Sequence, residues 1–175
     1  MADANEWASI INIGQSYEGR DMNVLALTKC GAGCPNIWLE AGIHAREWIA
    51  PAVATFIIRE LVEDYAEHPS YIDNINWYFI PSANPDGYAY SWDHDRMWRK
   101  TRFRMSIQSN TPSPRSDNGG ILGCKGVDPN RNWAFHYGES GVSHNRCMET
   151  YCGPEAFSEV GPWFAIQLLI HFPQG

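Results

Sequence analysis

The sequence predicts an α/β domain built on an open, mostly parallel or mixed sheet with helices on both faces. Three observations predict it. An apolar run from Asn36 to Ile43 is followed by a long helical pattern from Ile49 to Tyr65, and then by a second apolar run from Asn76 to Pro81. Strand, helix and strand in succession are what a parallel pair with its crossover requires. Shorter strand signals precede them, and at 175 residues and 44% apolar content the chain can close one buried core.

The elements follow in order. Ala8 to Ile13 is a short apolar run, and Gly14-Gln-Ser-Tyr-Glu-Gly19 punctuates it as a turn. Met22 to Leu27 reads as a strand. Cys30-Gly-Ala-Gly-Cys34-Pro35 is a loop, and Asn36 to Ile43 is a buried strand. In the helix that follows, Pro51 sits in the first turn, where its missing N–H costs nothing. Val53, Phe56, Ile57, Leu61 and Val62 recur at helical spacing, and His68-Pro69 stops the pattern. From Asn84 to Gly153 the chain turns rich in Asn, Gly, Pro and aromatics with little periodicity. A stretch that long without regular elements is usually functional in a compact domain. Ser106 to Gly120 reads as an exposed loop.

Composition excludes several functions. A net charge of −7 argues against a nucleic-acid partner, whose phosphates call for a basic face. No apolar run reaches the roughly 18 residues of a membrane span. The first residues, Met1 to Trp7, carry neither the basic nor the apolar region of a signal peptide. Five cysteines nevertheless point to an oxidising compartment, and five cannot all pair within one chain.

Two clusters carry chemistry. His44-Ala-Arg46-Glu47 lies between a strand end and a helix start, where ligands gather in open α/β sheets. An imidazole and a carboxylate three residues apart can aim at one point and suit Zn²⁺. Chance could also produce that spacing, with the acid simply favoured at a helix N-terminus. Arg96, Arg99, Lys100, Arg102 and Arg104 crowd cations into an acidic chain, and the interleaved Trp92, Trp98 and Phe103 argue that part of the run packs inward. Asp128-Pro-Asn130-Arg131-Asn132-Trp133 then offers a planar guanidinium and an amide in a turn. Such a pair can clamp a carboxylate or merely cap the turn.

Together these segments resemble the zinc metallocarboxypeptidases of the carboxypeptidase A/B type. Gly14-Gln-Ser-Tyr-Glu-Gly-Arg20, Gly42-Ile-His44-Ala-Arg46-Glu47-Trp48, Asn84-Pro-Asp-Gly87-Tyr88, Trp98-Arg99-Lys-Thr-Arg102, Gly126-Val-Asp-Pro-Asn130-Arg131-Asn132-Trp133 and Cys147-Met-Glu-Thr-Tyr151 fall in family order, over residues 10–160. The resemblance implies residues 1–175 as a single, partial peptidase catalytic domain that removes C-terminal residues from peptides and proteins with one zinc ion. It implies His44 and Glu47 as zinc ligands and Arg99 as the catalytic cation facing the attacked carbonyl. Asn130 and Arg131 become the grip on the substrate's terminal carboxylate, and Arg46 an outer substrate contact. It also implies secretion, and a Cys124–Cys147 disulfide worth roughly 3 kcal/mol in the chain-entropy model.

The pattern diverges over residues 161–175. The third zinc ligand is expected there, with His171 as one candidate; in a second alignment Gln167-Leu-Leu-Ile170 follows the ligand position and no His fills it. The family's general-base Glu and closing Tyr fall further on, so the sequence is expected to be incomplete at both ends, and a chain so shortened is expected to form a loose or aggregating globule. Two other functions compete: a relative that binds peptide C-termini without hydrolysis, for which Asn130 and Arg131 suffice, and a disulfide-bearing structural module.

Overall fold

A computed structural model describes residues 5–103 and 124–159. Four strands form one sheet: β1 (Ala8–Gln15), β2 (Asp21–Leu27), β3 (Asn36–Glu40) and β4 (Asn76–Ile80). Three helices accompany them: α1 (Ile49–Glu63), α2 (Ser70–Asp73) and α3 (Pro85–Asp93). The expected exposed loop at Ser106 to Gly120, His171 and the divergent tail lie outside the described residues.

The strand order is β1-β2-β4-β3. β1 and β2 pair antiparallel, as do β2 and β4; β3 and β4 pair parallel, with Leu39 opposite Phe79. The sheet is therefore mixed. The mostly parallel form of the expectation holds only for β3 and β4, whose connection runs through α1. A tight turn joins β1 to β2, and a connection that short can only return antiparallel.

The two central strands are buried nearly throughout, and their side chains alternate between the two faces of the sheet as a period of two demands. Leu25, Leu27 and Phe79 face one side and pack with Ile58 and Leu61 of α1 and Ile72 of α2. Met22, Val24, Ala26, Tyr78 and Ile80 face the other, joined by Ala83 and the half-buried Trp38. Of the helical layers expected on both faces, α1 and α2 supply the one over the first cluster.

Helix α1 ends close to where the sequence places it, but its inward face differs. Ala54, Ile58 and Leu61 are buried, while Val53 and Phe56 are about half exposed. Apolar residues cover much of this helix's circumference, so periodicity alone does not select the buried stripe. Two helices escaped the sequence reading. The short α2 follows Pro69. α3 begins at Asn84-Pro-Asp-Gly, within the stretch expected to lack regular elements, yet Asn84 caps it by accepting from the Gly87 N–H at 3.0 Å, with Pro85 in the first turn and Asp86 after it. Those are helix-start signals in their own right.

β3 stops at Glu40, three residues short of the expected Ile43. The chain beyond it stays tied to the end of β4: Ala41 N–H donates to Ile80 at 2.9 Å, and Ala83 N–H donates to Ala41 at 2.9 Å. The carboxyl ends of the two parallel strands thus release two neighbouring loops, and the chemistry-bearing residues begin there.

Cys124 and Cys147 are bonded, as the resemblance implies, and Cys30 bonds Cys34. The fifth cysteine, Cys152, is free and buried.

Candidate active site

His44 leaves the β3 end on the turn that opens α1, and it is buried. Both of its ring nitrogens face carboxylates. Nδ1 lies 3.0 Å from Glu47 Oε1 and Nε2 lies 3.0 Å from Asp128 Oδ1. Glu47 is half exposed, whereas Asp128 is fully enclosed.

Asp128 is the hub of the site. Its Oδ2 accepts from Arg99 Nη2 at 2.8 Å and from Arg99 Nε at 3.2 Å. Its Oδ1 accepts the Asn130 N–H at 3.0 Å, capping the 3-10 turn Pro129–Arg131. One carboxylate therefore holds the imidazole, the guanidinium and the turn that carries Asn130 and Arg131. Burial alone would raise the Asp128 pKa, but the His44 and Arg99 hydrogen bonds and the Arg99 charge outweigh it and hold the carboxyl below its usual range. Arg99 Nη1 also stands 3.7 Å from Glu47 Oε1.

Backbone pairing brings these distant segments together. Thr101 N–H donates to Val127 at 2.9 Å and Gly126 N–H to Phe103 at 2.9 Å. That approach requires glycine at 126. Its φ is +77°, and a Cβ there would sit 2.0 Å from the Thr101 carbonyl oxygen. Asn132, fully buried, braces the turn from behind. Its amide donates to Cys152, Glu155 and Ser158 at 2.8 to 2.9 Å, and its carbonyl accepts the Glu159 N–H at 2.9 Å.

The basic run resolves into separate tasks rather than a solvated face. Arg96 stacks over Trp48 at 3.8 Å, and Arg102 is buried against Tyr90 at 3.6 Å. Lys100, also buried, donates to the Arg146 carbonyl at 2.7 Å, and burial lowers its pKa. Arg99 turns to Glu47 and Asp128, and Arg102 Nε also reaches Glu18 Oε1 at 3.4 Å. Arg104 lies outside the described residues. A cavity of about 310 Å³ opens beside Arg99, lined by Met97, Lys100, Glu149 and the Cys124–Cys147 disulfide.

The two arginines expected to meet substrate differ. Arg46 is engaged by Glu149 through two bonds, at 2.8 and 3.1 Å. Arg131 is held by backbone carbonyls, Gly141 at 2.9 Å and Asn130 at 2.8 Å. Among the described residues no carboxylate pairs with it.

The donor chemistry at His44 and Glu47 fits a zinc ion in part. Two ligands about 2 Å from a tetrahedral zinc stand roughly 3.3 Å apart. The facing Nδ1 and Oε1 are 3.0 Å apart with one buried and one accessible member, so a small adjustment suffices. The described residues contain no group of three or more such ligands. Sequence reasoning passed over Asp128 and Asn132. Asp128 carried a signal, an acid followed by Pro at the mouth of a turn, but its second task, gripping a histidine 84 positions earlier, had none.

The chain is similar to known proteins. A family model described as zinc carboxypeptidase matches residues 2–165, a wider span than the motifs cover. Carboxypeptidase B of Astacus astacus is 49% identical over 158 residues, which make up 90% of this chain and 48% of that protein. Zinc carboxypeptidase A 1 of Drosophila melanogaster is 46% identical over 158 residues, 87% of this chain and 33% of that one. Bovine thrombin-activatable fibrinolysis inhibitor, solved in complex with tick carboxypeptidase inhibitor, superposes with a TM-score of 0.78 at 32% identity, over 94% of this chain and 49% of its own. Carboxypeptidase A from Helicoverpa armigera gives a TM-score of 0.78 at 30% identity, over 93% and 37%. The chain thus spans about half, or less, of the length of these relatives.

Proposed function

Because the chain belongs to the zinc carboxypeptidase family, we propose that it forms part of one peptidase domain that releases the C-terminal residue of peptides and proteins. The observation that carries this reading is the double engagement of His44, by Glu47 on one ring nitrogen and by buried Asp128 on the other. A ligating histidine is commonly oriented by a carboxylate on its second nitrogen, which fixes the tautomer and leaves the first nitrogen for the metal.

In this reading His44 Nδ1 and Glu47 supply two ligands to one zinc ion. Zinc bound there supplies Lewis-acid polarisation of the scissile carbonyl. Asp128 keeps the imidazole aimed and at the same time holds Arg99. The Arg99 guanidinium, fixed before substrate arrives, meets negative charge as it develops on the attacked carbonyl oxygen. Arg131 and Asn130 grip the terminal carboxylate, since the Arg131 fork is free of side-chain acids among the described residues. Arg46 orients an outer part of the substrate from its seat on Glu149. Two disulfides suit export to an oxidising compartment. No helix among the described residues is long and apolar enough to cross a membrane.

The test measures zinc stoichiometry together with release of the last residue from a model peptide. The expected result is one zinc per chain, turnover abolished by a chelator, and His44→Ala losing both. Peptide binding without turnover would replace the enzyme with a C-terminus binder. Absence of both zinc and peptide binding would sink the reading.

A further inference from the structure

We propose that Asn84 is a positioning residue that sets the placement of Arg99 relative to His44, in addition to capping α3. The proposal rests on the reading of Arg99 and His44 given above. Asn84 is nearly fully buried, and its amide is used at every point. Oδ1 accepts the Gly87 N–H at 3.0 Å, which is the helix cap. Nδ2 donates to two carbonyls that no helix needs it to reach. One belongs to Ile43, the residue before His44, at 3.3 Å; the other belongs to Lys100, the residue after Arg99, at 3.0 Å.

One NH₂ group thus spans the two loops that carry the imidazole and the guanidinium. The loops also meet directly: Ala45 N–H donates to the Arg99 carbonyl at 3.1 Å, Arg96 Nη1 donates to the Arg46 carbonyl at 2.8 Å and Arg46 Nη1 to the Met97 carbonyl at 3.3 Å. The clamp is anchored from behind. Asp86, two residues on and buried, accepts from Ser16 Oγ at 2.6 Å, from the Glu18 N–H at 2.8 Å and from Arg20 Nη1 at 2.7 Å, which ties the start of α3 to the β1–β2 turn. Further along α3, Ser91 Oγ reaches the Ala45 carbonyl at 3.3 Å and accepts from Trp48 Nε1 at 2.8 Å. α3 therefore touches the His44 turn on both sides. The fit leaves no room: a Cβ on Gly87 would lie 2.5 Å from Asn84 Nδ2 and 2.7 Å from the Lys100 oxygen. A misplacement of about 1 Å between groups that act together can cost on the order of 100-fold in rate.

Asn84→Ser keeps a short oxygen for the cap and removes both amide donors; Gly87→Ala keeps the Asn84 side chain but crowds its amide against the Lys100 carbonyl, so that the bond between them must give. Each variant is made in the full chain, and two quantities are read. The first needs neither metal nor turnover: amide hydrogen exchange at Ala45, whose N–H bonds Arg99, against Phe79 in the central strand. Exchange at Ala45 should rise about tenfold or more in both variants while Phe79 changes less than about twofold. The second is the split of peptidase kinetics, with kcat falling about tenfold or more and KM within about twofold, because Arg99 acts on charge formed only in the transition state. Unchanged Ala45 exchange, or a rise shared equally by Phe79, would reduce Asn84 to a helix cap and overturn the proposal. So would altered exchange with unaltered kcat in a chain that turns substrate over. If the unmutated chain shows no turnover, the peptidase reading fails and the exchange result alone decides the clamp.

Discussion

The sheet with α1 and the loops beyond residue 84 are held together by different forces. In the first region, Leu25, Leu27, Ile58, Leu61, Ile72 and Phe79 close one apolar cluster, and polar pairing lies mainly in the ladders between strands, with buried Asn76, which bonds Gly31 and Asn36, as the exception. In the second, the fully enclosed side chains include Asp128 and Asn132, and buried Asn84 and Glu159 stand beside them. Each of the first three makes three or more hydrogen bonds to partners far away in sequence or at a turn. Burial of apolar area is non-directional and tolerates small shifts. A buried amide or carboxylate tolerates almost none, because an unpaired partner loses its solvation without recompense. A protein that needs a rigid scaffold and an exact cluster of charges assigns them to these two kinds of structure.

Three perturbations break or sharpen that contrast. Phe79→Ala removes the centre of the apolar cluster and should destabilise by about 4 kcal/mol in urea unfolding. The zinc affinity of the molecules still folded should be unaltered. A large affinity change would mean that the two regions are not separable. Asp128→Asn should cost somewhat less stability, roughly 3 kcal/mol, because Arg99 loses its charge partner in a buried setting. Its zinc affinity should nonetheless fall by about 10- to 100-fold, as expected when the carboxylate behind a ligating histidine is removed. Calorimetric zinc titration of the two variants side by side checks the reversal of order.

The third and smallest effect concerns Glu159. Among the described residues its buried Oε1 has no partner, and burial pushes its pKa from 4.5 to about 7, against the hydrogen bond from Thr101. The folded form holds the proton more tightly than the unfolded form does. The stabilisation is therefore complete below the unfolded pKa and is lost as pH rises through about 7. Between pH 5 and 7 this group should remove about 2 kcal/mol of stability. Glu159→Gln should flatten that slope in urea titrations at several pH values. An unchanged slope would show the carboxyl to be solvated in solution.

Legibility followed the same division. The strands at Met22–Leu27 and Asn76–Ile80 and the helix from Ile49 could be read because alternation and helical spacing are local consequences of which side faces the core. The inward stripe of α1 could not, since Val53 and Phe56 are as apolar as the residues that are buried. Helix α3 was legible in principle, from Asn84 before Pro85, and was hidden by the weak periodicity of the Asn-, Gly- and Pro-rich stretch that begins there. At the site, resemblance supplied the roles expected of His44, Glu47, Arg99, Asn130 and Arg131. Nothing in the sequence predicted that Glu149 would occupy Arg46, or that Asp128 would reach back to His44.

By itself, the amino-acid order determined the strand and helix succession, the candidate ligands three residues apart and the family to which the chain belongs. Those are properties of neighbouring residues or of motifs in order. Only the folded molecule decided that the sheet is mixed, which face of α1 is buried, and that one enclosed aspartate joins the imidazole, the guanidinium and the clamp turn. Such contacts join segments tens of residues apart, and their geometry exists only once apolar burial has brought the backbone together and left each buried polar atom to find its partner.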